Sequence, residues 1–120
     1  MRGARFLDRG SVSWANLDGA EGREQRGRRP VLVVSDTSFN RRSGTAIVLP
    51  MTSRKPPFGE PLAVELSEQS WVKPCQVRTL STSRLSASAV ESVPRETVDA
   101  CVLALMEILG LDVSAMKAFR

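Results

Sequence analysis

Gly22-Arg23-Glu24-Gln25-Arg26-Gly27-Arg28-Arg29-Pro30-Val31-Leu32-Val33-Val34 runs from a charged loop into an unbroken apolar segment. The four residues 31–34 are too few for a helix, and three of them are β-branched. With Pro30 and Ser35 at their ends, they predict a buried strand over residues 30–35. Pro30 disfavours the helical region for the residue before it, so Arg29 is extended as the chain enters the strand. A guanidinium held there is aimed by a rigid element, which an arginine on a tail is not. Four Arg and one Glu occupy positions 23–29. Charge alone leaves two readings open, a solvated arginine-rich loop or a site for an anion.

Outward from this segment the pattern is one of short strands. Residues 11–17 read as a first strand with Val12 and Trp14 on one face, and 18–29 as a polar loop with Gly19, Gly22 and Gly27. Residues 36–44 are polar and turn-rich, with room for one short helical turn. A buried strand over 45–51 is built on Ile47, Val48 and Leu49, and Pro56-Pro57 and Gly59 make 52–61 a loop. Residues 62–66 alternate, 67–70 turn, and 71–80 are extended but interrupted by Pro74. Residues 84–92 read as a weak strand or turn. A helix over 94–109 follows, with Pro94 in its first turn, Ser92 as a cap, and Gly110 at its end. Val98, Cys101, Val102, Leu105, Ile108 and Leu109 form its apolar stripe. Residues 111–120 read as a short amphipathic turn or tail. The expected class is mainly β with α (α+β), a small antiparallel SH3-like barrel in meander order, plugged by a C-terminal amphipathic helix.

The 120 residues, 42% apolar, suit a single domain over 1–120. The formal net charge is +4, but residues 1–60 hold 11 basic and 6 acidic groups while 61–120 hold 6 and 7. Fourteen of the 17 cations are Arg, whose planar fork pairs with phosphate and stacks on bases. A basic first half implies an anionic partner on one surface. The absence of His removes the commonest metal ligand and general base. Cys75 and Cys101 lack metal-ligand spacing, and Cys101 falls on the helix's apolar stripe as a small core residue. Neither an apolar signal core nor a membrane-length run is present, so a reducing cytoplasm is the expected setting and no membrane partner is expected.

Two further clusters carry polar chemistry. Pro50-Met51-Thr52-Ser53-Arg54-Lys55 ends a buried strand on two hydroxyls and two cations, which suits either a phosphate site or a simple turn. Gln76-Val77-Arg78-Thr79-Leu80 suits either base reading through Gln76 and Arg78 or an edge strand with a polar outer face.

Taken in order, these fragments resemble the MazF/PemK toxins over about residues 9–111. Residues 22–34 are similar to the family's G-x-E-Q-x-G-x-R-P opening, with its Trp-x-x-Leu strand before it as Trp14-Ala15-Asn16-Leu17. Phe39-Asn40, then Ile47-Val48-Leu49-Pro50-Met51-Thr52-Ser53, look like the next segments, and Gln76–Leu80 with Arg84-Leu85 like the one after. The resemblance implies a compact antiparallel barrel with a C-terminal helix, a homodimer, and a cognate antitoxin as inhibitor. It also implies sequence-selective cleavage of single-stranded RNA to a 2′,3′-cyclic phosphate and a 5′-hydroxyl. The family's catalytic Arg falls on Arg29, its Thr on Thr52, and its loop Glu on Glu24. Some members use an Arg–Cys–Asp stretch where this chain has Lys73-Pro74-Cys75, so that acidic partner is absent.

Cleavage through the substrate's own 2′-OH needs neither histidine nor metal, because the nucleophile is already tethered beside the phosphorus. Arg29 is expected to stabilise the phosphorane and Thr52 to bond the same phosphate. Glu24 is the one carboxylate in its cluster and a candidate base, weakened as such by the arginines around it. RNA contacts are expected from Gln25, Arg26, Arg28, Ser53, Arg54, Lys55, Gln76 and Arg78, with Phe58 stacking on a base. No cofactor is expected. The rival readings are a CcdB-like gyrase-binding toxin and an inactive RNA-binding relative.

Overall fold

A computed structural model describes residues 7–19, 21–22, 27–54, 64–67, 70–86 and 91–114. Its chain runs β1 (Ser11–Asn16), β2 (Arg28–Val33), α1 (Thr37–Ser43), β3 (Thr45–Thr52), β4 (Val64–Ser67), β5 (Ser70–Val72), β6 (Arg78–Ser81), β7 (Glu91–Ser92) and α2 (Arg95–Ile108). Every strand pairing is antiparallel, and the strands curl into a half-barrel closed by α2.

Two core clusters show which residues share a face. One holds Val12, Leu32, Val34, Leu49, Met51 and Val72 together with Val98 and Cys101 of α2. The other holds Ala15, Leu17, Val31, Val33, Ala46, Val48, Leu80 and Leu85. Alternate residues of β2 and β3 therefore enter opposite clusters, as expected of strands buried on both faces. We call the α2 side the helix face and the other the outer face.

The strand order departs from a meander. The sheet runs β4-β5-β3-β2-β1-β7, with β6 also pairing β3. Both edges of β3 are used. The Val34 N–H donates to the Ile47 carbonyl at 3.0 Å on the β2 side, and the Lys73 N–H donates to the Pro50 carbonyl at 2.9 Å on the other. That second edge is shared, with residues 45–48 taken by β6 and residues 51–52 by β5. β4 is left outside as the hairpin partner of β5. An eight-residue strand can serve two short ones in this way, which a chain-order reading cannot reveal.

Residues 36–44 form two helical turns rather than one. The Asp36 carboxylate accepts from the Ser38 and Phe39 N–H groups at 3.0 and 3.1 Å, and Gly44 closes the helix at φ +72°. Buried Asn40 donates through Nδ2 to the carbonyls of Leu7 (2.6 Å) and Ser35 (3.2 Å), tying α1 to the segment before β1. At α2 the cap is Pro94 and not Ser92, which lies in β7, and no side chain caps the helix. Val98, Cys101 and Ala104 are its buried residues, whereas Ile108 and Leu109 of the expected stripe stand exposed beyond the sheet. The extended segment 71–80 is broken at Pro74 by a 3₁₀ turn, Pro74–Gln76, which lets β5 and β6 take different parts of β3. Among the described residues no helix is long and apolar enough to cross a membrane.

Candidate active site

The β2–β3 register pairs Val33 with Val48, Leu32 with Leu49 and Val31 with Pro50. It stops there for a chemical reason. Even-numbered residues of β2 aim their backbone groups at β3, as Val34 does, and the next of them is Pro30, which has no N–H to give. Continued by two residues, the register sets Arg29 level with Thr52. The pleat puts both on the outer face: Arg29 follows Val31 and Val33, and Thr52 follows Ala46 and Val48. Ala15, which opposes Arg29 on β1, confirms the side.

Arg29 is half-buried, and Thr52 retains 9% of its surface at the end of β3. The Thr52 Oγ1 accepts from the Arg54 N–H at 3.1 Å, an ST-turn that fixes the hydroxyl and leaves its proton available to an acceptor. This geometry is the turn-forming one, and the hydroxyl proton meets no acceptor among the described residues. Ser53 and Arg54 are exposed just beyond it. Arg78 opposes Val48 and so shares the outer face, half-buried, deeper along the wall. Gln76 is half-buried in the 3₁₀ turn that leads into β6.

Arg28 is not part of this group. It opposes Asn16 and projects from the other side of β2, where its guanidinium carbon sits 5.0 Å above the Trp14 ring. That is a cation–π contact worth about 0.5–1 kcal/mol at an exposed site. Glu24, Gln25, Arg26, Lys55 and Phe58 lie outside the described residues. The Lys73-Pro74-Cys75 stretch supplies a half-buried lysine and an exposed thiol.

Sequence reasoning missed Trp71. It opposes Thr52 directly across β3–β5 and is half-buried. Its neighbours Met51 and Val72, which oppose each other, both enter the helix-face cluster, so Thr52 and Trp71 point the other way, toward Arg29. Only the sheet order brings it there.

A polar cleft of about 490 Å³ lies elsewhere, lined by Arg9, Asp36, Thr37, Val93, Arg95, Val98 and Asp99. It sits beyond the opposite end of β2, where Arg9 Nε donates to the Val34 carbonyl at 2.9 Å. Its groups serve the fold: Arg9 pairs with Asp99 at 2.9 Å and Asp36 caps α1. The cap's hydrogen bonds, from the Ser38 hydroxyl first, hold the Asp36 carboxyl below the ordinary carboxylate value. Among the described residues no three His, Cys, Asp or Glu side chains converge as a metal would require.

Comparison with known proteins covers nearly the whole of this fold. Residues 8–109 match the family described as PemK-like, MazF-like toxin of type II toxin–antitoxin system. The chain is 33% identical over 110 residues to an Escherichia coli protein named Endoribonuclease PemK, which spans 87% of this chain and 77% of that one. Among solved structures it is similar to MazF from Deinococcus radiodurans, with a TM-score of 0.73, 27% identity, and coverage of 87% of this chain and 96% of the other. A MazE–MazF crystal structure from the same organism gives a TM-score of 0.69 at 30% identity, covering 88% and 96%.

Proposed function

This chain belongs to the PemK-like, MazF-like toxin family of type II toxin–antitoxin systems, and from that premise we propose that it cleaves single-stranded RNA through the substrate's own 2′-hydroxyl at the Arg29–Thr52 face. The observation that carries the reading is the β2–β3 register, which, continued two residues past Val31 and Pro50, sets Arg29 beside Thr52 on one face. It offers one phosphodiester a guanidinium and a hydroxyl from two adjacent strands.

The 2′-oxygen loses its proton and attacks phosphorus, the P–O5′ bond breaks, and the departing 5′-oxygen takes a proton. The products are a 2′,3′-cyclic phosphate and a 5′-hydroxyl. Charge builds on the non-bridging oxygens between those events. Arg29 meets it with a preorganised cation, a contribution of about 3–4 kcal/mol to the barrier. The Thr52 hydroxyl, held by the Arg54 amide, donates to the same phosphate. Glu24 is the candidate base on sequence grounds. The nucleophile and the stabilising charge both come without a metal ion, so the reaction runs in a chelator. Ser53, Arg54 and Arg78 extend the contacts to flanking nucleotides, with Gln25, Arg26, Lys55, Phe58 and Gln76 as further contributors from the sequence pattern.

The same reading assigns a cognate antitoxin as inhibitor, a homodimeric assembly and a cytoplasmic setting. MazE–MazF complexes of Deinococcus radiodurans support the first. The exposed Ile108, Leu109 and Leu111 at the end of α2 offer apolar surface for assembly.

Incubation with a defined single-stranded RNA in EDTA tests the reading. The expected products are specific cuts ending in cyclic phosphate, with Arg29→Ala slowed at least about 100-fold and its fold intact by circular dichroism. Cleavage only after magnesium is added, or normal turnover by Arg29→Ala, would contradict it.

A further inference from the structure

Resting on the RNA-cleaving reading of the Arg29–Thr52 face, we propose that Trp71 is the residue on which the nucleobase beside the cut phosphate stacks, and so a determinant of base preference. Three observations converge on it.

The first is position. Trp71 and Thr52 are directly opposed antiparallel partners, and such pairs share a face with Cβ atoms about 4.5–5.5 Å apart. Continuing the β2–β3 register by two residues sets Arg29 on the far side of Thr52 from Trp71, in the order aromatic, hydroxyl, guanidinium. A nucleobase stands one sugar away from its phosphate. A phosphate bound between Arg29 and Thr52 accordingly brings a flanking base to the neighbouring strand.

The second is the state of the ring. Trp71 is half-buried, so part of its side chain reaches solvent. Its indole N–H donates to no described residue, although buried tryptophans ordinarily find a partner for this group. The chain's other tryptophan is different. Trp14 lies on the helix-face side of β1 and already carries the Arg28 guanidinium over its ring.

The third is charge. Lys73, half-buried, follows two residues after Trp71, and its N–H bond to the Pro50 carbonyl carries the β3–β5 register one step further. Arg78 lies on the same outer face. Cations beside an open aromatic face make a stacking platform for single-stranded nucleic acid, because every base offers a π-face and every linkage a negative charge.

The test compares wild type, Trp71→Ala, Trp71→Phe and Arg29→Ala on one single-stranded transcript, with cut sites mapped by sequencing 5′ ends. Trp71→Ala is expected to raise KM by at least about fivefold, to leave kcat within about threefold, and to relax the base preference at one position beside the cut. Trp71→Phe retains a stacking ring and is expected to restore the preference. Wild-type KM and cut motif in Trp71→Ala would overturn the proposal, and so would equal impairment in Trp71→Phe, which would mean a packing role.

A binding arm separates this idea from the nuclease reading. In a Trp14→Phe background Trp71 is the sole tryptophan, and a 2′-O-methyl RNA 12-mer of random sequence cannot be cut. Quenching of its emission supports stacking even if the wild type cuts nothing, in which case the nuclease reading alone fails. Unchanged emission at saturating oligonucleotide overturns the stacking role.

Discussion

Arg28 and Arg29 are neighbours in the chain and occupy opposite faces of one strand. The pleat sends Arg28 over the Trp14 ring and Arg29 to the face of Thr52, so two adjacent arginines have different surroundings. Their separation was legible in principle once the strand was placed to begin at residue 28, because a period of two assigns the faces. The loop reading, which ran to residue 29, hid it. Trp71 was not legible at all, since its place beside Thr52 depends on which strands pair across β3. Ser13 carries the opposite kind of surprise. It opposes Val31 in the outer-face core, is 0% exposed, and its hydroxyl has no hydrogen-bond partner among the described residues. A buried hydroxyl without a partner costs about 1–3 kcal/mol. Ser13→Ala is accordingly expected to raise unfolding stability by about 1 kcal/mol in urea titration. A loss of similar size would show that the hydroxyl is bonded in solution.

The elements that show hydrophobic periodicity were the legible ones. β2, β3 and α2 all stand within a residue or two of where the apolar runs put them. The sequence shows only one turn of α1 because its seven residues carry no apolar stripe, and its signal lies at its ends, where Asp36 caps and Gly44 closes. In α2 the burial of Cys101 has a measurable consequence. Desolvation pushes the thiol from its ordinary 9.0 up to about 11. The folded state thus favours the neutral thiol, while the unfolded chain ionises it first. The stability this provides is complete below pH 9 and is lost as the pH rises toward 11. A shift of this size corresponds to roughly 2–3 kcal/mol. The urea midpoint of the wild type should fall across that window, and Cys101→Ala should lose that part of the slope. An identical slope in the variant would place the alkaline titration elsewhere.

Over the whole molecule, the excess of positive charge in the first half becomes intelligible through the sheet. Of the described cations from that half, Arg29 reaches the outer face and Arg54 follows Thr52, while Arg9 and Arg41 make ion pairs with Asp99 and Asp8. The fold class and the family were readable because four motif fragments kept their order and spacing. The sheet order was not, because a hairpin formed by β4 and β5 can dock on β3 by either strand with the same sequence pattern. Everything functional depends on Arg29 and Thr52 serving one phosphate, and a double-mutant cycle on kcat addresses this most directly. Each of Arg29→Ala and Thr52→Ala is expected to cost about 10²–10³-fold. If both groups hold the same phosphorane, the double variant should be slower than the worse single by no more than about tenfold, since residues acting as a unit are not additive. Losses that simply multiply, to about 10⁴–10⁶-fold, would mean that the two side chains act at separate places, and would contradict the shared site.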